Sequence, residues 1–270
     1  MSALSFKLAG MTDQGKARKN NEDAVWVDQT MGLLVVCDGM GGHNAGEVAS
    51  GMAITTIPTN YTQLAKANTT GEIADQRFTA ETNRLGFCVK MANQLIFEAA
   101  RRYPKDHGMG TTCTAAVIKA DRLSVAHVGD SRCYLIRHGQ IEQLTQDHSL
   151  VMEQVRQGIL KKDDEAVRTG QNILTRSLGT EAEVKIDLEE HPLFPGDILV
   201  LCSDGVDKEM TDDQLLQIVK ETTEPRQLVQ KVIDECNAAG GRDNITVAAA
   251  RIDKAGFMDL IRNFFKKLNG

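Results

Sequence analysis

The sequence predicts an α+β fold built on antiparallel sheets. Three observations carry that prediction. Short apolar runs of strand length recur along the chain, several neighbouring runs are joined by turns too short for a parallel crossover, and a few segments with helical spacing interrupt them. The first clear strand is Leu33-Leu34-Val35-Val36-Cys37, running into Asp38-Gly39. Asn44-Ala45-Gly46-Glu47 then resembles a capping box and opens a helix to about Ile57. Residues 58–82 are polar and poorly periodic, which predicts a loop or irregular insertion. A longer helix is predicted over 83–102, with Leu85, Val89, Ala92, Ile96 and Ala99 on one face. Strands follow at 112–118 and 123–128, joined by Lys119-Ala120-Asp121-Arg122, and the second runs into Gly129-Asp130. Cys133-Tyr134-Leu135-Ile136 and Ile141-Glu142-Gln143-Leu144 flank Arg137-His138-Gly139-Gln140, a hairpin with glycine in the turn. Residues 147–180 mix a short helical pattern with charge and are expected to form a flap. Ile198-Leu199-Val200-Leu201-Cys202-Ser203 runs into Asp204-Gly205. Thr211-Asp212-Asp213-Gln214 is a second capping box, and Pro225 opens a further helix to about Asn237. Asp243 precedes the last strand-like run, Ile245-Thr246-Val247-Ala248-Ala249.

The bulk numbers set the frame. With 270 residues, 41% hydrophobic and 25% charged, the chain can bury a sizeable core. A formal net charge of −6 argues against a general nucleic-acid binder, which needs a strongly basic surface. The six cysteines form no CxxC pair and sit largely in apolar runs, so they read as buried hydrophobes of a reducing compartment. No apolar stretch approaches the roughly 20 residues that span a bilayer, and the first residues lack a signal-peptide core. A cytoplasmic monomer is expected.

The theme of a strand ending at an aspartate beside a glycine points to chemistry. Asp38, Asp130, Asp204 and Asp243 come from distant parts of the chain, and strand ends hold side chains firmly. Brought to one rim, such carboxylates repel unless a cation sits between them. Hard divalent cations such as Mg2+ or Mn2+ prefer oxygen ligands. Any single Asp-Gly pair is more often a turn than a metal site. The stretch from Gly39 to Gly46 lacks the Lys-Ser/Thr of a P-loop, and no EF-hand loop is present.

At this point the motifs resemble those of the bacterial PP2C (PPM) family of metal-dependent serine/threonine protein phosphatases. The matching segments occur in the family's order and cover roughly residues 5–252. They are Asp13-Gln14-Gly15 with Arg18 and Asn21-Glu22-Asp23; Asp38-Gly39-Met40-Gly41-Gly42-His43; Gly110-Thr111-Thr112; and Gly129-Asp130-Ser131-Arg132. They continue through Leu144-Thr145 with Asp147-His148-Ser149; Leu174-Thr175-Arg176-Ser177-Leu178-Gly179; Ser203-Asp204-Gly205; and Gly241-Arg242-Asp243-Asn244. The resemblance implies an α-β-β-α sandwich, two packed antiparallel sheets with helices outside. It implies a centre in which Asp38 bridges two Mn2+ or Mg2+ ions, Asp204 and Asp243 complete one, and Glu22 with the Gly39 carbonyl serves the other. Asp23 supports the centre through hydrogen bonds or water. Asp130 with Asp204 can hold a third ion, Asn244 stands just behind the ligands, and Arg18 grips the substrate phosphate. The nucleophile implied is a water or hydroxide shared by the two ions, attacking phosphoserine or phosphothreonine in proteins, in opposition to a bacterial serine/threonine kinase. Met40 stands where eukaryotic members often carry a histidine acid; methionine cannot donate a proton, so that position leaves the leaving-group acid open, with a metal-bound water as the expectation.

Two boundaries complete the expectation. Residues 1–253 form the phosphatase domain, with the flap at about 147–180 selecting substrate. Residues 254–270 place Phe257, Leu260, Ile261, Phe264, Phe265 and Leu268 at helical spacing between basic residues. An amphipathic helix packed on its own domain is favoured there over a membrane-surface anchor. His127, His138 and His148 read as scattered structural or solvated residues. The rival functions are a phosphoprotein-binding module without turnover and a hydrolase of small phosphate esters.

Overall fold

The computed structural model of the chain describes residues 4–41, 45–103, 107–161 and 173–256. Its elements are β1 (Leu4–Asp13), β2 (Asp23–Asp28), β3 (Leu33–Met40), α1 (Ala45–Lys66), α2 (Ala80–Arg102), β4 (Gly110–Thr111), β5 (Cys113–Lys119), β6 (Arg122–Val128), β7 (Arg132–Arg137) and β8 (Gln140–Gln143). They continue with α3 (Leu150–Arg156), β9 (Asp187–Pro192), β10 (Ile198–Cys202), α4 (Asp204–Asp207), α5 (Asp212–Glu221), α6 (Pro225–Ala239) and β11 (Ile245–Lys254).

Strand alternation builds four layers. One sheet has the order β1-β11-β10-β7-β8 and the other β2-β3-β5-β6-β9, with β4 pairing β3. Every pairing is antiparallel. In β3, Leu33, Val35 and Cys37 face a core shared with α1 and α2, whereas Leu34 and Val36 face the other sheet. In β10, Val200 and Cys202 face α5 and α6, whereas Leu199 and Leu201 point inward between the sheets. Each fully buried aliphatic side chain contributes about 1.5–3 kcal/mol relative to exposure. The predicted α+β class and the sandwich implied by the resemblance are both present.

Several local expectations hold. The His138-Gly139 turn has φ +51° and +75°, the left-handed pair that a two-residue hairpin of this twist requires. The Thr211 capping box is complete, and Pro225 occupies the first turn of α6. Others need correction. The first helix does not stop near Ile57 but runs through Pro58 to Lys66, so the polar stretch after it is shorter than the 58–82 expected. Ala49, Ala53, Ile57 and Tyr61 continue one buried face at four-residue spacing, and that packing outweighs the hydrogen bond lost at the proline. The second helix starts at Ala80 with Thr79 as its cap, three residues before the predicted start. Strands β1, β2 and β9, and the two-residue β4, had no counterpart in the sequence expectation. Within the proposed flap, α3 is capped by Ser149 and Ser149 bridges to Leu174. Asn44, His43, residues 162–172 and the tail helix from Phe257 onward lie outside the described residues.

Candidate metal centre

At one end of the sandwich the inward-facing rows change from apolar to polar. Leu34 and Val36 are followed by Asp38; Leu199 and Leu201 by Ser203; and Ile252, Ala250 and Ala248 lead back to Thr246. In β2, Val27 and Val25 lead back to Asp23. All of these polar residues meet in the gap between the sheets. Ser203 Oγ donates to Asp23 Oδ2 (2.6 Å) and accepts from Thr246 N–H (3.0 Å), tying the two sheets together. Asp23 and Asp38 stand directly opposite in the β2–β3 register. The Asp38 backbone is fixed by Thr112, whose Oγ1 accepts from Asp38 N–H (2.9 Å) and whose N–H donates to Asp38 O (2.8 Å).

The remaining acids enter from loops. Asp204 opens α4, directly after Ser203. Asp243 lies before β11, and Asn244 organises the loop that carries Arg18 and Glu22. The Asn244 amide donates to Gln14 O and Asn20 O (both 2.9 Å), and its Oδ1 accepts from Glu22 N–H (2.9 Å). Glu22 O accepts from Gly39 N–H (3.1 Å). The Glu22 carboxyl lies against Gly46 in the first turn of α1, where a Cβ would fall 2.9 Å from that carboxyl and 2.8 Å from Gly39 C. Gly46→Ala is therefore expected to cost about 1–3 kcal/mol of stability by overpacking. It should also weaken metal-dependent activity by moving Glu22. Denaturant unfolding checks the first effect and a manganese titration of activity the second.

The electrostatics record the crowding. Loss of water pushes the Asp38 carboxyl well above the usual range, and Asp23, Asp204, Asp130 and Asp243 push the same way. Burial, with Asp204 adding, raises Asp23 to about 7. Burial and then Asp204 raise Asp130 well above its ordinary value. Burial also raises Glu22. Asp243 is the exception: burial opposes ionisation, but Lys208 and Arg18 outweigh it and hold the carboxyl below its usual range. Like charges directly across a strand pair destabilise a sheet, so this end of the fold is built against stability.

Arg18 Nη2 donates to Asp243 Oδ2 (2.8 Å), and its Nε makes an ion-pair contact with Oδ1 (2.8 Å). Lys208 Nζ lies 2.5 Å from Asp204 Oδ2 and 2.8 Å from Asp243 Oδ2. Sequence reasoning missed Lys208, although its place four residues after Asp204 is the spacing of a helical ion pair. It missed the Arg132–Asp147 ion pair (2.7 Å), which Asp207 joins at 3.3 Å. His127 and His148 are not scattered but buried together, with ring centroids 4.8 Å apart. Cys37 and Cys202 sit beside the acids, yet their thiols are held far from ionisation. The Cys113 hydrogen bond and burial raise Cys37, and burial raises Cys202. Neither offers a thiolate nucleophile.

Do these groups fit divalent ions? Among the described residues, no three carboxylate, histidine or cysteine side chains close into a coordination shell as they stand. The donor chemistry nevertheless fits. The acids are hard oxygen donors, their mutual repulsion is what a cation relieves, and Asp23 Oδ1 is buried without a hydrogen-bond partner.

A four-layer sandwich that gathers carboxylates at one end of both sheets defines a metal-dependent hydrolase of the phosphatase class. The family model described as protein phosphatase 2C matches residues 14–238. The chain belongs to the protein phosphatase 2C family. It is 35% identical over 245 residues to the serine/threonine phosphatase stp of Listeria monocytogenes, spanning 90% of this chain and 94% of that protein. Its structure is similar to the serine/threonine phosphatase PstP/Ppp of Mycobacterium tuberculosis, with a TM-score of 0.80, 32% identity, and coverage of 93% and 99% of the two chains. A PstP catalytic domain solved in complex with 2 manganese ions is similar at a TM-score of 0.79 and 32% identity, covering 93% and 99%. No helix among the described residues is long and apolar enough to cross a membrane.

Proposed function

We propose that the chain hydrolyses phosphoserine and phosphothreonine in proteins with two bound Mn2+ or Mg2+ ions, opposing a serine/threonine kinase of the same cell. The observation that carries this reading is the meeting of Asp23, Asp38, Asp204 and Asp243 at the polar end of the inter-sheet gap, with Glu22 and Arg18 beside them. Asp38, Glu22, Asp204, Asp243 and the Gly39 carbonyl would hold the ions, Asp23 would support them from behind, and Asp130 with Asp204 would take a third. Bound there, the ions would neutralise phosphate charge and make water a nucleophile near neutral pH.

The chain's own residues do the rest. The Arg18 guanidinium, beside the acids at the rim, pairs with phosphate oxygens through the same planar fork that now meets Asp243. Asn244 and Thr112 hold the Glu22 loop and the Asp38 backbone in place. Met40 offers no proton, and its methyl group packs at Gly110. Residues 1–253 act as one catalytic domain, with 147–180 as the substrate-selecting segment, in a monomeric cytoplasmic enzyme.

The test is phosphate release from a phosphothreonine peptide, with Mn2+ or with a chelator. Turnover in Mn2+ that disappears in chelator is expected. No turnover from folded chain that binds Mn2+ would convert the assignment to a phosphoprotein-binding module. Arg18→Ala should raise KM for the peptide at least about tenfold, roughly 1.4 kcal/mol. An unchanged KM would remove Arg18 from the phosphate site.

A further inference from the structure

The turn that delivers Asp130 is held by a histidine whose side-chain hydrogen bonds go to Gly129, Asp187 and Arg176 and not to Asp23, Asp38, Asp204 or Asp243. His148 is fully buried. Its backbone N–H donates to Gly129 O (2.7 Å), and its ring Nδ1 accepts from Gly129 N–H (3.0 Å). Both polar groups of the glycine before Asp130 are thereby tied to one residue. The other side of the turn is closed as well. Gly129 has φ +111°, and a Cβ on it would lie 2.6 Å from Thr112 Cβ. Thr112 is the residue that fixes the Asp38 backbone, and its Oγ1 also bonds Ser131 Oγ (2.7 Å). The Asp130 turn is clamped between the support of Asp38 and His148.

The ring's orientation is set from outside the centre. Nε2 lies 3.0 Å from Asp187 Oδ2 at the start of edge strand β9. Arg176 Nη1 donates to the other oxygen of Asp187 (3.0 Å) and lies 3.1 Å from the ring nitrogen. A carboxylate facing Nε2 places the ring hydrogen there, which leaves Nδ1 as the acceptor that Gly129 N–H requires. His148 O also accepts from Thr175 N–H (2.8 Å), so the same residue joins the 147–180 segment to the turn.

We propose that His148 is a positioning residue for metal binding: the acceptor at its Nδ1, directed by Asp187, fixes the Gly129 backbone and so sets where the Asp130 carboxyl stands in the acidic gap. This rests on the reading of Asp130 as an ion ligand. Side chains that orient ligands without touching the metal typically carry about 10–100-fold in affinity.

Isosteric replacement separates positioning from packing. His148→Asn keeps an acceptor at the place of Nδ1 and loses the group facing Asp187. His148→Gln keeps a donor towards Asp187 and loses the acceptor. The full chain, its asparagine and glutamine variants and Asp130→Asn are titrated with Mn2+ by calorimetry after chelator treatment, with thermal melting to confirm folding. Expected is loss or about tenfold weakening of the weakest ion in Asp130→Asn and in His148→Gln, and affinity within about twofold of wild type in His148→Asn. Equal weakening of the two histidine variants, or none in either, overturns the proposal. Unchanged binding by Asp130→Asn overturns its premise, and the proposal with it. Should His148→Gln fail to fold, amide exchange in the wild-type chain decides. A slow Gly129 amide that slows further with Mg2+ supports the clamp, and exchange at the unfolded rate overturns it.

Discussion

Asp38→Asn is expected to abolish phosphatase turnover while raising the melting temperature of the metal-free chain at pH 7.5. The two effects have one cause. Asp38 faces Asp23 across the strand pair and lies in the field of Asp204, Asp130 and Asp243, so ionising its carboxyl works against the fold. Asparagine has the same shape and carries no charge. Removing one charge from such a cluster stabilises by on the order of 1–2 kcal/mol, or about 2–4 °C per kcal/mol for a domain of roughly 150–250 residues. The Asp38 backbone contacts to Thr112 are unaffected, so the sandwich should form as before. Turnover should fall roughly a thousandfold or more, about 4 kcal/mol of lost transition-state stabilisation. Melting in chelator and initial rates in saturating Mn2+ measure the two effects. A variant that melts lower and works normally would remove Asp38 from the centre and make it an ordinary structural residue.

The expected inverse relation explains what could be read in advance. The central strands were legible because both of their faces are buried: Leu33 to Cys37 and Leu199 to Cys202 are continuous apolar runs. Besides the two-residue β4, the strands missed are β1, β2 and β9, and these three are edge strands. Edges carry polar side chains that protect unpaired backbone, as Lys7 does in β1 and Glu189 with Glu190 do in β9. Their alternation is therefore weak. Pro58 misled in the opposite direction, because a proline that packs within a buried helical face can be carried by its neighbours. Within the centre, the acids themselves were visible as departures from the apolar pattern at strand ends. Of the groups that hold them, Asn244 was reached only through the family resemblance, and Thr112 and Ser203 were given no role. Thr112, Ser203 and Asn244 act through bonds to residues 74, 180 and 222 positions away, and no local pattern encodes such a separation. Lys208 was legible in principle, since its partner Asp204 is one helical turn distant.

Manganese should stabilise the chain far more at pH 7.5 than at pH 5. The carboxyls of Asp38, Asp23 and Asp130 are raised in the folded state above their unfolded values. A carboxyl with a raised folded pKa favours folding when protonated. Its stabilisation is complete below the unfolded pKa and is lost as pH rises towards the folded one, here from about 4 to 7 and beyond. The metal-free chain should therefore lose stability from this cluster across that range. The ions need the same carboxylates ionised, so protons compete with them at low pH. At a concentration one hundred times Kd, binding adds about 2.7 kcal/mol, and Kd itself should weaken as pH falls. His127 acts oppositely: burial, with His148 adding, lowers its pKa to about 4, so the fold loses stability as pH drops from about 6.5 towards 4. Its ring bonds Thr114 and Gln146 O rather than the acids, so its contribution is common to both conditions and cancels when melting temperatures with and without Mn2+ are subtracted at each pH. The subtraction isolates the carboxylates. A manganese shift that is the same at pH 5 and pH 7.5 would mean that the ions bind groups already ionised at pH 5, and would exclude the crowded acids of β2 and β3 as their ligands.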